Sequence, residues 1–136
     1  MADNINNPVH YTSNQSGIEC IVIAEWLGFN LGNAFKYLYR FQKKNGIEDL
    51  QKAVWYLNNE VKFHEVNKVM SAMGFTTSQY LTANNSVAKI GLYLPPNIAK
   101  AMLHLIDYTQ FGYVYWLDYA IKAIEIEINS PLDVKP

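Results

Sequence analysis

Cysteine is almost absent. The chain carries one thiol, Cys20, in 136 residues, so no internal disulfide can form. A single cysteine set between Glu19 and Ile21 in an apolar pattern fits a structural residue in a reducing compartment. Long apolar runs are also missing, and none approaches the ~20 residues a membrane-spanning helix needs. The opening MADNINNPVHY has neither the basic nor the apolar segment of a secretory signal. These absences lead to the expectation of a cytoplasmic protein with no membrane partner. Charge of one sign is lacking too. Eleven Lys and Arg face twelve Asp and Glu, for a formal charge of −1. No global positive field draws the chain onto nucleic acid, so any positive surface must be local.

The common catalytic motifs are missing as well. There is no GxxxxGK[ST] phosphate loop and no GxGxxG. There is no Cys or His set at zinc spacing, no GxSxG and no di-metal carboxylate pattern. No metal ligands are expected.

What is present is apolar and aromatic. Half the residues are hydrophobic, with ten Tyr, three Trp and six Phe, which argues against disorder. A chain of this length buries roughly two-thirds of its unfolded surface and needs no staples. The expected fold is mainly α: one domain, a compact bundle of about five helices with a central helical hairpin. Residues 7–70 form a helical core, 71–95 a connector and 96–130 a C-terminal helical hairpin.

A first helix is expected over 17–28, with Ser16 as N-cap, Glu19 at the capping-box position and Gly28 as its end. A second runs from Asn33 to about Gln42, capped by Asn33 or Asn30, with Ala34, Tyr37, Leu38 and Phe41 as its apolar face. Lys43, Lys44 and Gly46 make the turn. A third extends from Ile47 to about Met70, where His64 reads as a surface residue. The segment 78–94, centred on Asn84-Asn85, admits a short β-hairpin, with a loop or helical turn as the alternatives. Helices over 97–109 and 113–129 follow. Tyr108, Phe111, Tyr113, Tyr115 and Trp116 suit a dimer or partner interface.

The hairpin has more polar groups on one side than folding asks for. Lys36 and Arg40 stand four residues apart and project together, with Asn33 a turn behind. Like charges at that spacing repel unless an anion lies between them. Arg offers phosphate a planar fork and Lys a point charge. Lys52 and Asp49 face the same turn. Asp49 is as easily a structural salt-bridge partner of Arg40 as half of a catalytic pair. His10 and Tyr11 follow Pro8 on a stiffened arm. His10 is either a surface residue or a donor or base near a bound phosphate.

Five motifs stand in order: NPVHY from Asn7, GIECI from Gly17, GNAFKYLYR from Gly32, KNG from Lys44 and DLQKAVWYL from Asp49. In this order they resemble the small phage proteins called SaV-like, a family long catalogued as a domain of unknown function. The resemblance covers residues 7–57. One branch of that family contains a phage nucleoside monophosphate kinase without a P-loop. The namesake branch contains phage proteins through which a host abortive-infection protein, AbiV, senses infection. Both imply a phage product acting in the host cytoplasm.

Two functions from different classes follow. In the first, the protein binds nucleotide or phosphate groups, up to nucleoside monophosphate phosphorylation. His10, Lys36 and Arg40 are then the catalytic candidates. Tyr11, Asn33, Asp49, Lys52 and Trp55 are the ligand-binding ones, with Tyr11 or Trp55 stacking a base. A Mg²⁺ bound with the nucleotide is the one cofactor this reading calls for, with Asp49 its nearest carboxylate. In the second, the chain is a non-enzymatic interaction protein recognised by a host defence protein. A homo-oligomer is expected in either case. Nucleic acid, held through the Lys43-Lys44 turn, is the weakest of the partners considered.

Overall fold

Apolar residues at helical spacing set the architecture. In the computed structural model, which describes residues 9–12 and 14–130, every regular element is a helix. The side chains of Tyr11 and Thr12 lie outside the described residues, as does the expected stop at Pro131. Two single-turn helices, α1 (Val9–Thr12) and α2 (Ile21–Ala24), precede five long ones. These are α3 (Gly28–Arg40), α4 (Ile47–Asn67), α5 (Thr77–Gly91), α6 (Pro96–Phe111) and α7 (Tyr115–Asn129). None of the described helices is long and apolar enough to cross a membrane.

The number of long helices agrees with expectation, but the set differs. The first expected helix shrinks to the single turn α2. Ser16 does not cap it; its Oγ accepts the Ile18 amide in a local turn instead. Gly28, expected to end that helix, begins α3 with φ +78°. Asn30 and Asn33 lie inside α3 rather than at its cap, and α4 stops at Asn67 instead of Met70.

The largest correction is α5. The segment that admits a β-hairpin, a loop or a helical turn is a 15-residue helix, and no strand occurs among the described residues. Thr76 and Gln79 form a reciprocal capping box at its start, at 3.0 and 3.1 Å. Ala83, Val87 and Ile90 make its buried stripe. Burial of that stripe overrides the weak helix propensity of its Ser, Thr and Asn residues.

The core is one cluster drawn from all five long helices, with Phe35, Leu38, Leu57, Ile90, Met102, Leu105 and Ile124 fully buried. α6 packs most extensively on α7, α3 on α4, and α5 on α6, while α7 also touches α4. Two glycines shape the α3–α4 region. A Cβ on Gly32 would lie 2.9 Å from the Ala24 carbonyl oxygen, so glycine lets α2 press onto α3. Gly46 precedes α4 with φ +59° and ψ −129°, a conformation closed to other residues, and its amide donates to the Phe41 carbonyl at 2.8 Å.

Candidate functional site

The apolar stripes of α3 and α4 face each other, so the residues beside those stripes meet at the rim. There Arg40 and Asp49 pair. Arg40 Nε donates to Asp49 Oδ2 at 3.1 Å and Nη2 to Oδ1 at 3.2 Å. Both residues are buried, and the Asn45 amide adds a third bond to the carboxylate at 3.3 Å. Of the two roles left open for Asp49, the geometry favours structure: a bidentate buried pair is costly to break and poorly free to act.

Tyr37, one turn from Arg40, is the organiser of the rim. Three cations surround its ring: Lys36 Nζ at 4.4 Å, the Arg40 guanidinium carbon at 4.7 Å and Lys52 Nζ at 5.6 Å from the centroid. The ring face attracts positive charge, which eases the crowding of like charges. Lys36 also donates to Asn33 Oδ1 at 3.1 Å, and Asn33 Nδ2 donates to the Phe29 carbonyl at 2.8 Å. Lys52 pairs with Glu48 at 3.4 Å in a partly exposed i, i+4 contact worth little.

Beyond the cations lies an aromatic wall. Tyr56 stacks on Tyr37, with centroids 6.0 Å apart. Phe29 and Trp55 meet Tyr56 edge-on at 5.8 and 5.0 Å. Phe29 is 72% exposed and Trp55 62%. Two large rings are therefore offered to solvent beside two lysines.

His10 completes the other side. α1 packs against α3. Burial, then the charges of Lys44 and Arg40, hold the His10 imidazole below its ordinary pKa, while Asp49 opposes them. At neutral pH His10 is a neutral imidazole at the edge of the Arg40–Asp49 pair, suited to accept a proton.

The structure thus gathers His10, Asn33, Lys36, Arg40, Asp49, Lys52 and Trp55 along one rim. Tyr11 lies in α1, and its side chain is outside the described residues. Lys43 is elsewhere, beside Asn14, Tyr39 and Tyr93. Phe29, Tyr37 and Tyr56 were not among the expected site residues. By spacing Tyr37 belongs to the apolar face, although its place between Lys36 and Arg40 also signals the rim. Cys20 lies near Lys36 and Arg40, but burial pushes its thiol up to about 12. It is protonated and inert at neutral pH. Among the described residues, no group of three or more His, Cys, Asp or Glu is arranged to hold a metal ion.

The profile of a family described as Protein of unknown function (DUF3310) matches residues 5–58. That span takes in all the candidate site residues and ends before α5, α6 and α7 begin. No curated protein and no solved structure matches the chain.

Proposed function

We propose that the α3–α4 rim binds the phosphate of a nucleotide, with the base against the aromatic wall. The carrying observation is the set of three cations around Tyr37 next to exposed Phe29 and Trp55. Lys36 and Lys52 take the phosphate oxygens and Asn33 adds a hydrogen bond. Arg40, held by Asp49, contributes field rather than a free fork. Trp55 stacks the base, an interaction worth roughly 1–3 kcal/mol by alanine substitution.

The resemblance to the SaV-like phage proteins extends this reading to phosphoryl transfer between nucleotides in a host cytoplasm. Positioning and charge stabilisation are most of what such transfer asks of a protein. His10, neutral beside the rim, would take any proton still carried by the attacking phosphate oxygen of the acceptor nucleotide. Asp49 does not fit a Mg²⁺ ligand, because Arg40 and the Asn45 amide already occupy its oxygens. No step is therefore assigned to a metal held by the chain.

The test is calorimetric titration with deoxynucleoside mono- and triphosphates beside inorganic phosphate, followed by an assay of phosphoryl transfer. Nucleotides should bind more tightly than phosphate alone. The pair Lys36→Ala and Lys52→Ala should weaken binding at least tenfold, and Trp55→Ala should remove the preference for nucleotide. No heat at millimolar ligand would rule the reading out. Arg40→Ala is a poor probe, since it exposes a buried carboxylate.

A second reading rests on the exposed Phe111, Tyr113, Tyr115 and Tyr119. It makes the chain an interaction protein recognised by an abortive-infection defence protein of the AbiV type. Co-elution of the two at micromolar concentration tests it.

A further inference from the structure

α7 is two-sided. Leu117, Ala120, Ala123 and Ile124 face the core. The opposite face repeats at the same helical spacing as Tyr115, Asp118, Tyr119, Lys122, Glu125 and Ile126, all exposed. A solvated face is normally polar, yet Tyr115 is 44% exposed, Tyr119 48% and Ile126 55%. At its N-terminal end Tyr115 stacks flat on Tyr113 at 5.4 Å and touches Trp116 and Tyr119. These rings form a raised aromatic knob. Beside it, His104 Nδ1 and Trp116 Nε1 are buried and find no hydrogen-bond partner among the described residues.

At the other end of the same face is a shallow, open depression lined by Lys122, Glu125, Ile126, Asn129 and Ser130. Knob and depression are centred roughly 11 residues apart, or about 16 Å along the helix. An antiparallel second copy brings each knob over the other copy's depression. The charges agree with that arrangement. A two-fold axis at the level of Ala120 sets Asp118 of each copy opposite Lys122 of the other, and the Tyr115 hydroxyl opposite Glu125. A parallel pairing would instead oppose Asp118 to Asp118 and Lys122 to Lys122. Among the described residues neither Asp118 nor Lys122 is in an ion pair.

We propose that the outward face of α7 is a homodimer interface, joining two copies of this chain antiparallel about a two-fold axis near Ala120. The interface is isologous: every contact occurs twice. One 15-residue helix face with its flanking rings is small for a specific interface, which places the dimer in the micromolar range. The face lies outside residues 5–58, the stretch matched by the family profile.

Sedimentation velocity on the full chain between 1 and 200 µM, roughly the range where such interfaces dissociate, tests the proposal. The expected result is a species of twice the 15.6 kDa chain mass that dissociates on dilution. Asp118→Lys and Lys122→Asp should each raise the dissociation constant about tenfold or more, because each sets like charges opposite one another twice. The double exchange carrying both changes should return it to within about threefold of the original, because a symmetric interface restores both pairs. Both residues are exposed, so circular dichroism should show the native helix content in all three variants. Independently, Tyr119→Cys stands beside the axis and should oxidise to a disulfide-linked dimer, while buried Cys20 stays out of the reaction. A chain that stays monomeric throughout overturns the proposal. So does a dimer indifferent to the single changes, or one that the double exchange fails to restore.

Discussion

The two ends of the α3–α4 pair are both rich in polar side chains and use them in opposite ways. At one end Glu60, 1% exposed, accepts from Asn30 Nδ2 at 3.0 Å, from the Ser71 amide at 2.9 Å, from Tyr108 Oη at 2.9 Å and from Ser71 Oγ. Asn59 donates to Asn30 Oδ1 at 2.9 Å. His64 Nδ1 lies 3.0 Å from Tyr108 Oη. Since that hydroxyl gives its proton to Glu60, His64 Nδ1 must be the donor, which assigns the tautomer. Each group is spent inside the fold, tying α3, α4, the segment after α4 and α6 together. At the other end only Arg40 and Asp49 form a buried pair, while Lys36 and Lys52 make single, partly exposed contacts with Asn33 and Glu48. Lys36, Lys52 and the rings beside them face outward. The difference separates polar residues that hold the structure from polar residues left available, and it can be broken by substitution.

The largest effect should come from Glu60→Ala. It removes one carboxylate and leaves Tyr108, Asn30 and Ser71 donors without an acceptor, at about 4 kcal/mol of unfolding free energy. Urea denaturation reads this directly, and a loss below about 1 kcal/mol would mean that water replaces the carboxylate at little cost. Asp49→Ala should rank next, at about 3 kcal/mol, because it strands the Arg40 guanidinium. The effect is smaller than at Glu60 because Arg40 keeps a tenth of its side chain in water and the Tyr37 ring beside it.

Lys36→Ala and Lys52→Ala should sharpen the contrast from the other side. Each is expected to change stability by less than about 0.5 kcal/mol, while nucleotide affinity falls. If either change destabilised the fold as much as Asp49→Ala does, the rim would be structural throughout and the two ends would not differ in kind.

The unequal use of these ends also explains what could be read from the sequence. The facing stripes of α3 and α4 and the Lys36–Arg40 spacing are local patterns, and they bring the candidate residues to one rim. The bounds of α6 and α7 fall within two residues of those expected, because Pro96 and Gly112 mark them chemically. Local patterns do not show the Glu60 cluster. Its partners Asn30 and Tyr108 are 30 and 48 residues away. His64 therefore looked like a surface residue, although it is half-buried against Tyr108. The same long-range contact removes Tyr108 from the expected aromatic interface group, while Phe111 meets Tyr80 edge-on and stays half-exposed. α5 is hidden in the sequence for a different reason. Its polar composition and Asn84-Asn85 suggested a turn, although Thr76-x-x-Gln79 is a capping-box pattern and Ala83, Val87 and Ile90 keep helical spacing.

The smallest effect tests how the N-terminal arm joins the outward-facing end. Burial, with Lys44 and Arg40, depresses the His10 pKa below 6.5. Between the folded value and 6.5 the unfolded chain holds more protons than the folded one, so stability rises with pH through that window. It is fully present above 6.5 and declines as pH falls toward the folded value. Proton NMR of His10 should give a midpoint below 6.5, and Lys44→Ala should move it up by removing one of the depressing charges. Saturating nucleotide should also move it up, because phosphate on the rim offsets Lys36, Arg40 and Lys52. A midpoint at or above 6.5 in the free protein would detach His10 from the Arg40–Asp49 pair. A midpoint that rises with Lys44→Ala but ignores nucleotide would keep the arm in place and move the phosphate away from it, leaving the imidazole no part in proton transfer.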